Sequence, residues 1–132
     1  FYGAQLGLIR KRLQELRTQH ADHFDCLNIK TNTVDRFQGQ EMSIVLVSMV
    51  RATRSNRLGQ FVREYRRINV AFSRAQKLLI IIGSAKTFCE AVIDLPDINT
   101  GQIKQTKVYD QIYQLITQNG GRRYARALIN KL

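Results

Sequence analysis

The chain has 132 residues, 44% of them apolar, and a formal net charge of +11 from 21 basic and 10 acidic side chains. That length suits one domain, and the apolar content excludes a disordered chain. No apolar run approaches the roughly 20 residues that a membrane helix needs, and no signal-peptide pattern opens the sequence. A cytoplasmic chain, or a nuclear one in a eukaryote, is expected, with no membrane partner. The charge favours a polyanionic partner but by itself does not choose among DNA, RNA, ribosome and anionic membrane, and a plain solvated surface is its bland alternative.

Leu6, Ile9, Leu13 and Leu16 recur at helical spacing, which predicts an amphipathic helix over Gln5 to Leu16 that ends near Thr18. A polar connector runs on to Asp25, and Cys26 to Lys30 is read as a short strand. After the turn-like Thr31-Asn32-Thr33 comes Ser43 to Val50, apolar and rich in β-branched residues, which predicts a strand buried on both faces. Ala52 to Gln60 lacks periodicity and is read as a loop. Helical spacing returns from Val62 to Ala75, with Ile68, Ala71 and Phe72 toward a core and Arg66, Arg67 and Arg74 at its rim. Leu78 to Ile82 is a second buried-type strand, stopped by Gly83-Ser84. A helix is expected from Ala85 to Ile93, ended by Leu95-Pro96. The tail offers two amphipathic helices, Val108 to Thr117 and Arg122 to Leu132, separated by Asn119-Gly120-Gly121.

Apolar strands alternating with helices imply a mostly parallel sheet with helices on both faces, whose ligands gather at the carboxyl ends of the strands. The expected division is a core domain over 1–96 and a helical extension of it over 97–132. Cys26 and Cys89 have neither metal-ligand spacing nor the density of a disulfide framework, and are read as two buried free thiols. His20 and His23 have no partner at ligand spacing, so no metal site is expected. Charge is concentrated between Arg51 and Arg74, where seven arginines face one acid, Glu64.

Two blocks are more specific. The first is Thr33-Val34-Asp35-Arg36-Phe37-Gln38-Gly39-Gln40-Glu41, leading into a strand. The second is Arg66-Arg67-Ile68-Asn69-Val70-Ala71-Phe72-Ser73-Arg74-Ala75, leading into another. In this order and spacing they resemble motifs V and VI of superfamily 1 helicases, in the branch that holds the nonsense-mediated-decay helicases and their DNA-acting relatives. Tyr2-Gly3-Ala4-Gln5 resembles the motif IV of that branch, and the likeness extends over Tyr2 to Lys86. It implies an α/β, three-layer, RecA-like domain of the P-loop NTPase type, expected to lack its first strand or strands.

In that family ATP binds between two RecA-like domains, and the second supplies an arginine to the γ-phosphate. A guanidinium stays charged near neutral pH and presents a planar fork of donors to phosphate oxygens. The resemblance makes Arg67 this arginine finger, with Arg66 as the alternative. Gly39 and Glu41 match the Gln-Gly-x-Glu signature of motif V at the ATP site: the glycine admits close backbone approach and the carboxylate can accept from a ribose hydroxyl. Their plain alternatives are a turn glycine and a solvated charge. Thr33, with Gln38 and Gln5 behind it, is assigned to the single-strand track. Arg51, Arg54 and Arg57 are expected either to grip the nucleic-acid backbone or to belong to a disordered basic loop. Arg74 is expected to couple the two motifs, with Asp35 as its candidate partner.

The chain contains no Gly-x-x-x-x-Gly-Lys-Ser/Thr phosphate loop and no acidic motif after a strand for Mg²⁺. The resemblance therefore implies that an upstream RecA-like domain of the same polypeptide binds the metal of Mg-ATP, and that this piece alone does not hydrolyse ATP. The partners expected are that domain and a single-stranded nucleic acid. The competing readings are a stand-alone basic nucleic-acid-binding module without turnover, and a regulatory domain with a degenerate helicase fold.

Overall fold

The computed structural model describes residues 2–37, 39–49 and 63–124. It divides into two compact units, one formed by 1–50 with 66–82 and the other by 51–65 with 83–132.

The first unit opens with helix α1, Tyr2–Gln19. The predicted periodicity holds in part: Leu6, Leu13 and Leu16 are half-buried, but Ile9, the fourth residue of the stripe, faces outward at 38% exposed, as does Leu8. The helix ends within a residue of the expected Thr18, where Arg17 complements the carboxyl end of the dipole, and starts earlier than expected because nothing in Tyr2-Gly3-Ala4 breaks it. A single turn, α2, Ala21–Phe24, follows.

Cys26 to Lys30 does not form the expected strand. An extended segment becomes a strand only by pairing, and its alternating Leu27 and Ile29 are exposed, without a neighbouring ladder among the described residues. Next come a one-turn 3-10 helix, Val34–Phe37, and strand β1, Met42–Ser48. Gly39 turns the chain between them with φ +79°, a conformation that costs other residues steric strain.

Helix α3, Tyr65–Phe72, is two turns long and ends earlier than its apolar spacing suggested. Ser73 and Arg74 leave it, and Ala75 already opens strand β2, Ala75–Ile82. β1 and β2 pair in parallel, from Met42 opposite Ala75 to Ser48 opposite Ile82, with a one-residue shift between Met42 and Ile44. The parallel crossover predicted from the two apolar runs is thus present, as expected of part of a RecA-like α/β domain.

One expectation about this sheet fails. Both strands read as buried on both faces, yet Ile44 and Leu46 of β1 are 54% and 63% exposed, and their partners Leu78 and Ile80 lie beside them on the same exposed face. Val45, Val47, Leu79 and Ile81, on the other face, are half-buried.

The second unit is built around Phe88, Ala91, Ile93 and Tyr109, which are buried with Thr87. Phe88 and Tyr109 meet edge to face, with centroids 5.3 Å apart. The helix expected over Ala85 to Ile93 is only a turn, α4, Ala85–Phe88. Its continuation, Ile93–Pro96, is strand β3, which pairs antiparallel with β4, Ile103–Thr106. The β-branched Val92 and Ile93 favour extension, and pairing across residue 96 joins the segments that the sequence reading placed in separate regions. Asp97 Oδ1 accepts the amides of Asn99 and Thr100 at 2.9 and 3.0 Å, and Gly101 closes the turn with φ +69°. Helix α5, Val108–Gln118, agrees with the predicted Val108 to Thr117. The second tail helix falls largely outside the described residues, and 121–124 carry no regular element. The Ala52 to Gln60 loop also lies outside them.

Among the described residues no helix is long and apolar enough to cross a membrane. Both cysteines are free, as read, but Cys26 is exposed rather than buried, and Cys89 is half-buried.

Candidate functional site

The two sequence blocks meet in the first unit. Asp35 sits in the 3-10 turn and Arg67 on the first turn of α3, and Arg67 Nε donates to Asp35 Oδ1 at 3.2 Å. The arginine is 34% exposed and the carboxylate 56%, so water screens the pair. Ion pairs this accessible are worth about 0–1 kcal/mol. Arg66, the neighbouring candidate, is exposed on the same helix.

Asp35 therefore faces Arg67 and not Arg74, the partner suggested by sequence. Arg74 lies past the end of α3 and bends back on it: Nε donates to the Val70 carbonyl at 3.1 Å and a terminal nitrogen to Ser73 Oγ at 2.9 Å. With these bonds it fastens the link between α3 and β2, while the Arg74 carbonyl accepts the Met42 amide at 3.0 Å. It thus connects the second block to β1 through its backbone rather than through its charge.

Glu41, just before β1, is exposed and accepts a bond of 3.2 Å from Gln76 Nε2 on β2. Gly39 is open, with nothing within 4 Å of where a Cβ would stand. Gln5 on α1 donates through Nε2 to Ser48 Oγ at 3.1 Å, which ties the helix to the carboxyl end of β1. Glu41 and Gln5 thus sit at opposite ends of the strand pair. The candidates do not all gather at the carboxyl ends.

Thr33 is half-buried, and its carbonyl accepts the Arg36 amide at 3.1 Å, opening the 3-10 turn that carries Asp35. Just before it lies a contact that sequence reading missed. Arg10 of α1 reaches the loop with three bonds: Nε to Thr31 Oγ1 at 3.0 Å, and a terminal nitrogen to the Thr31 carbonyl at 2.6 Å and to Asn32 Oδ1 at 3.4 Å. A planar fork suits such a clamp, but in sequence Arg10 is one of several basic residues on a solvated helix face. Gln38, Arg51, Arg54 and Arg57 lie outside the described residues. Among those described, no group of three or more His, Cys, Asp and Glu side chains converges to hold a metal ion.

A family profile described as AAA domain matches residues 1–86, and the chain belongs to that family. Its relatives include helicases, in keeping with the superfamily 1 resemblance of the two blocks. The chain is 32% identical to the DNA replication ATP-dependent helicase/nuclease DNA2 of Xenopus laevis over 115 residues, which cover 85% of this chain and 10% of that protein. The Schizosaccharomyces pombe protein of the same name is 36% identical over 92 residues, or 70% of this chain and 6% of that one. Helicase SEN1 of Saccharomyces cerevisiae is 32% identical over 96 residues, 68% of this chain and 4% of that protein. The aligned region is thus a small part of each of these relatives.

Proposed function

We propose that this chain is the second motor domain of an ATP-dependent helicase, providing the arginine finger of a split ATP site and part of a single-strand track. The observation that carries this reading is the ion pair between Arg67 and Asp35, because it joins the two motif-like blocks through the residue assigned to the γ-phosphate. Asp35 orients the guanidinium while nucleotide is away. A triphosphate presents more negative charge than one exposed carboxylate, so Arg67 transfers to it as the two motor domains close.

The residues present fit a nucleotide that is completed from the other side. Arg67 is partly exposed, Glu41 is an exposed acceptor for a ribose hydroxyl, and Gly39 leaves room for a ligand against the backbone. The reading assigns Mg²⁺ and the phosphate loop to the upstream RecA-like domain, where the metal would screen the phosphate charge. In this chain, Arg67 compensates charge on the phosphoryl group, a role worth about 10³ to 10⁵ in rate for arginine fingers. Thr33 would meet the strand from a loop that Arg10 fixes to α1, and Gln5 and Gln38 would extend that track. Coupling runs from nucleotide to strand along Arg67, Asp35 and the turn that begins at Thr33.

In the polypeptide that carries both motor domains, Arg67→Ala is expected to lower strand-stimulated ATP hydrolysis about a thousandfold or more. Binding of a labelled single strand should remain within about threefold, since phosphate-backbone contacts set that affinity. Undiminished turnover would refute the finger assignment, and loss confined to Arg66→Ala would move it to the neighbouring arginine. Strong strand binding with no turnover from the intact polypeptide would favour the stand-alone binding module.

A further inference from the structure

The second unit holds a cluster that the motor reading leaves unused. Helix α5 ends in a Schellman turn: Gly120 takes φ +69°, its amide reaches the Thr117 carbonyl at 3.1 Å, and the Gly121 amide reaches the Ile116 carbonyl at 2.8 Å. This turn directs the chain back along the helix. Arg122 then donates to the Tyr113 hydroxyl at 2.7 Å, with its guanidinium carbon 5.9 Å from that ring's centroid and 4.9 Å from that of Tyr124. Arg123 fixes the same turn by donating to the Gly120 and Arg122 carbonyls, both at 2.7 Å.

The cluster faces solvent, and Tyr124 is 66% exposed although one face of its ring carries the guanidinium. Residues 101–132 contain six basic side chains and one acid, Asp110. An exposed ring held beside a guanidinium, on a basic segment, combines the two features that bind unpaired strands: a sequence-tolerant stacking surface and a cation for the backbone.

We propose that Tyr113, Arg122 and Tyr124 form a second contact for single-stranded nucleic acid, with a base stacked on Tyr124 and a phosphate on the outward donors of Arg122. The proposal rests on the nucleic-acid reading above but uses residues outside both motif-like blocks. Stacking is favoured over binding of an acidic peptide, because a purely electrostatic site has no use for an exposed ring.

The test is fluorescence anisotropy of the full 132-residue chain with a fluorescein-labelled oligothymidylate of about 12 nucleotides. Tyr124→Ala is expected to weaken binding about 5- to 100-fold, with Tyr124→Phe within about twofold of the parent. An unchanged Tyr124→Ala overturns the proposal. Equal loss in the Phe variant overturns stacking, and so does displacement of the strand by polyglutamate as effectively as by unlabelled oligothymidylate. Photocrosslinking of a 5-iodouracil strand to the unmodified chain keeps the test independent of variant folding. An adduct on the peptide bearing Tyr124 supports the site, and adducts confined to the Thr33 region overturn it. Thr33→Ala separates the two readings. Loss there with none in Tyr124→Ala retires only this proposal, and the reverse pattern retires only the track assignment at Thr33.

Discussion

Asp97 shows how one side chain can shape a segment. A single carboxylate oxygen accepts two backbone amides, and those bonds, Thr100's first and Asn99's second, hold the acid below its ordinary value of 3.8. A group with a depressed folded pKa stabilises the fold above its unfolded value, and that stability is lost as pH falls through the folded value. The turn should therefore keep its full carboxylate contribution above pH 3.8 and lose it progressively below. An NMR titration of the Asp97 side-chain carbon should give a midpoint under the ordinary value, and a midpoint at or above it would mean that the two amide bonds are not formed in solution. The Asp97 turn carried no reading in sequence, and in the two blocks the sequence named candidate residues but not how they pair. Arg67 and Arg74 are seven apart, which puts both on one face of an unbroken helix and makes either a reasonable partner for Asp35. Only the early end of α3 separates them. It leaves Arg67 on the helix and turns Arg74 back onto the Val70 carbonyl.

Elements were legible where periodicity and pairing agreed. The stripe of α1, the parallel β1 and β2 and the helix α5 all carry long patterns that neighbouring residues reinforce. The strand read at Cys26 to Lys30 had a local pattern but no ladder to join, and Ile93 to Pro96 had a partner that a local reading could not see. Pro96 suggested the end of a helix, although it equally suits the last position of a short edge strand. Glycines separate the two kinds of backbone demand. Gly120 holds φ +69° at the end of α5, so Gly120→Ala should cost about 1–2 kcal/mol in chemical denaturation. Gly7 lies inside α1 with nothing within 4 Å of where a methyl group would stand, so Gly7→Ala should instead stabilise by about 0.5–1 kcal/mol. If both substitutions moved stability in the same direction, the backbone assignment at one of the two positions would be wrong.

At the scale of the molecule, the α/β class was legible because two β-branched apolar runs alternate with helical spacing. Their burial was not, since sequence cannot tell a strand in a wide sheet from one that, among the described residues, pairs with a single neighbour and leaves Ile44, Leu46, Leu78 and Ile80 open to solvent. The net charge of +11 is another molecular property, and its function depends on where the charges meet a partner. Binding to a single strand releases counterions, so affinity falls with salt by a logarithmic slope of about 0.7 for each phosphate neutralised. If Arg54 and Arg57 each meet a phosphate, replacing both with glutamine should reduce that slope by about 1.4. If Thr33 meets the strand as proposed, Thr33→Ala removes a neutral hydroxyl and should weaken binding at every salt concentration while leaving the slope as it was. Anisotropy titrations across a salt series distinguish these effects. An unchanged slope in the double variant would remove the Arg54 and Arg57 loop from the track, and a lowered slope in Thr33→Ala would mean that this residue acts by placing a cation rather than by its own hydroxyl.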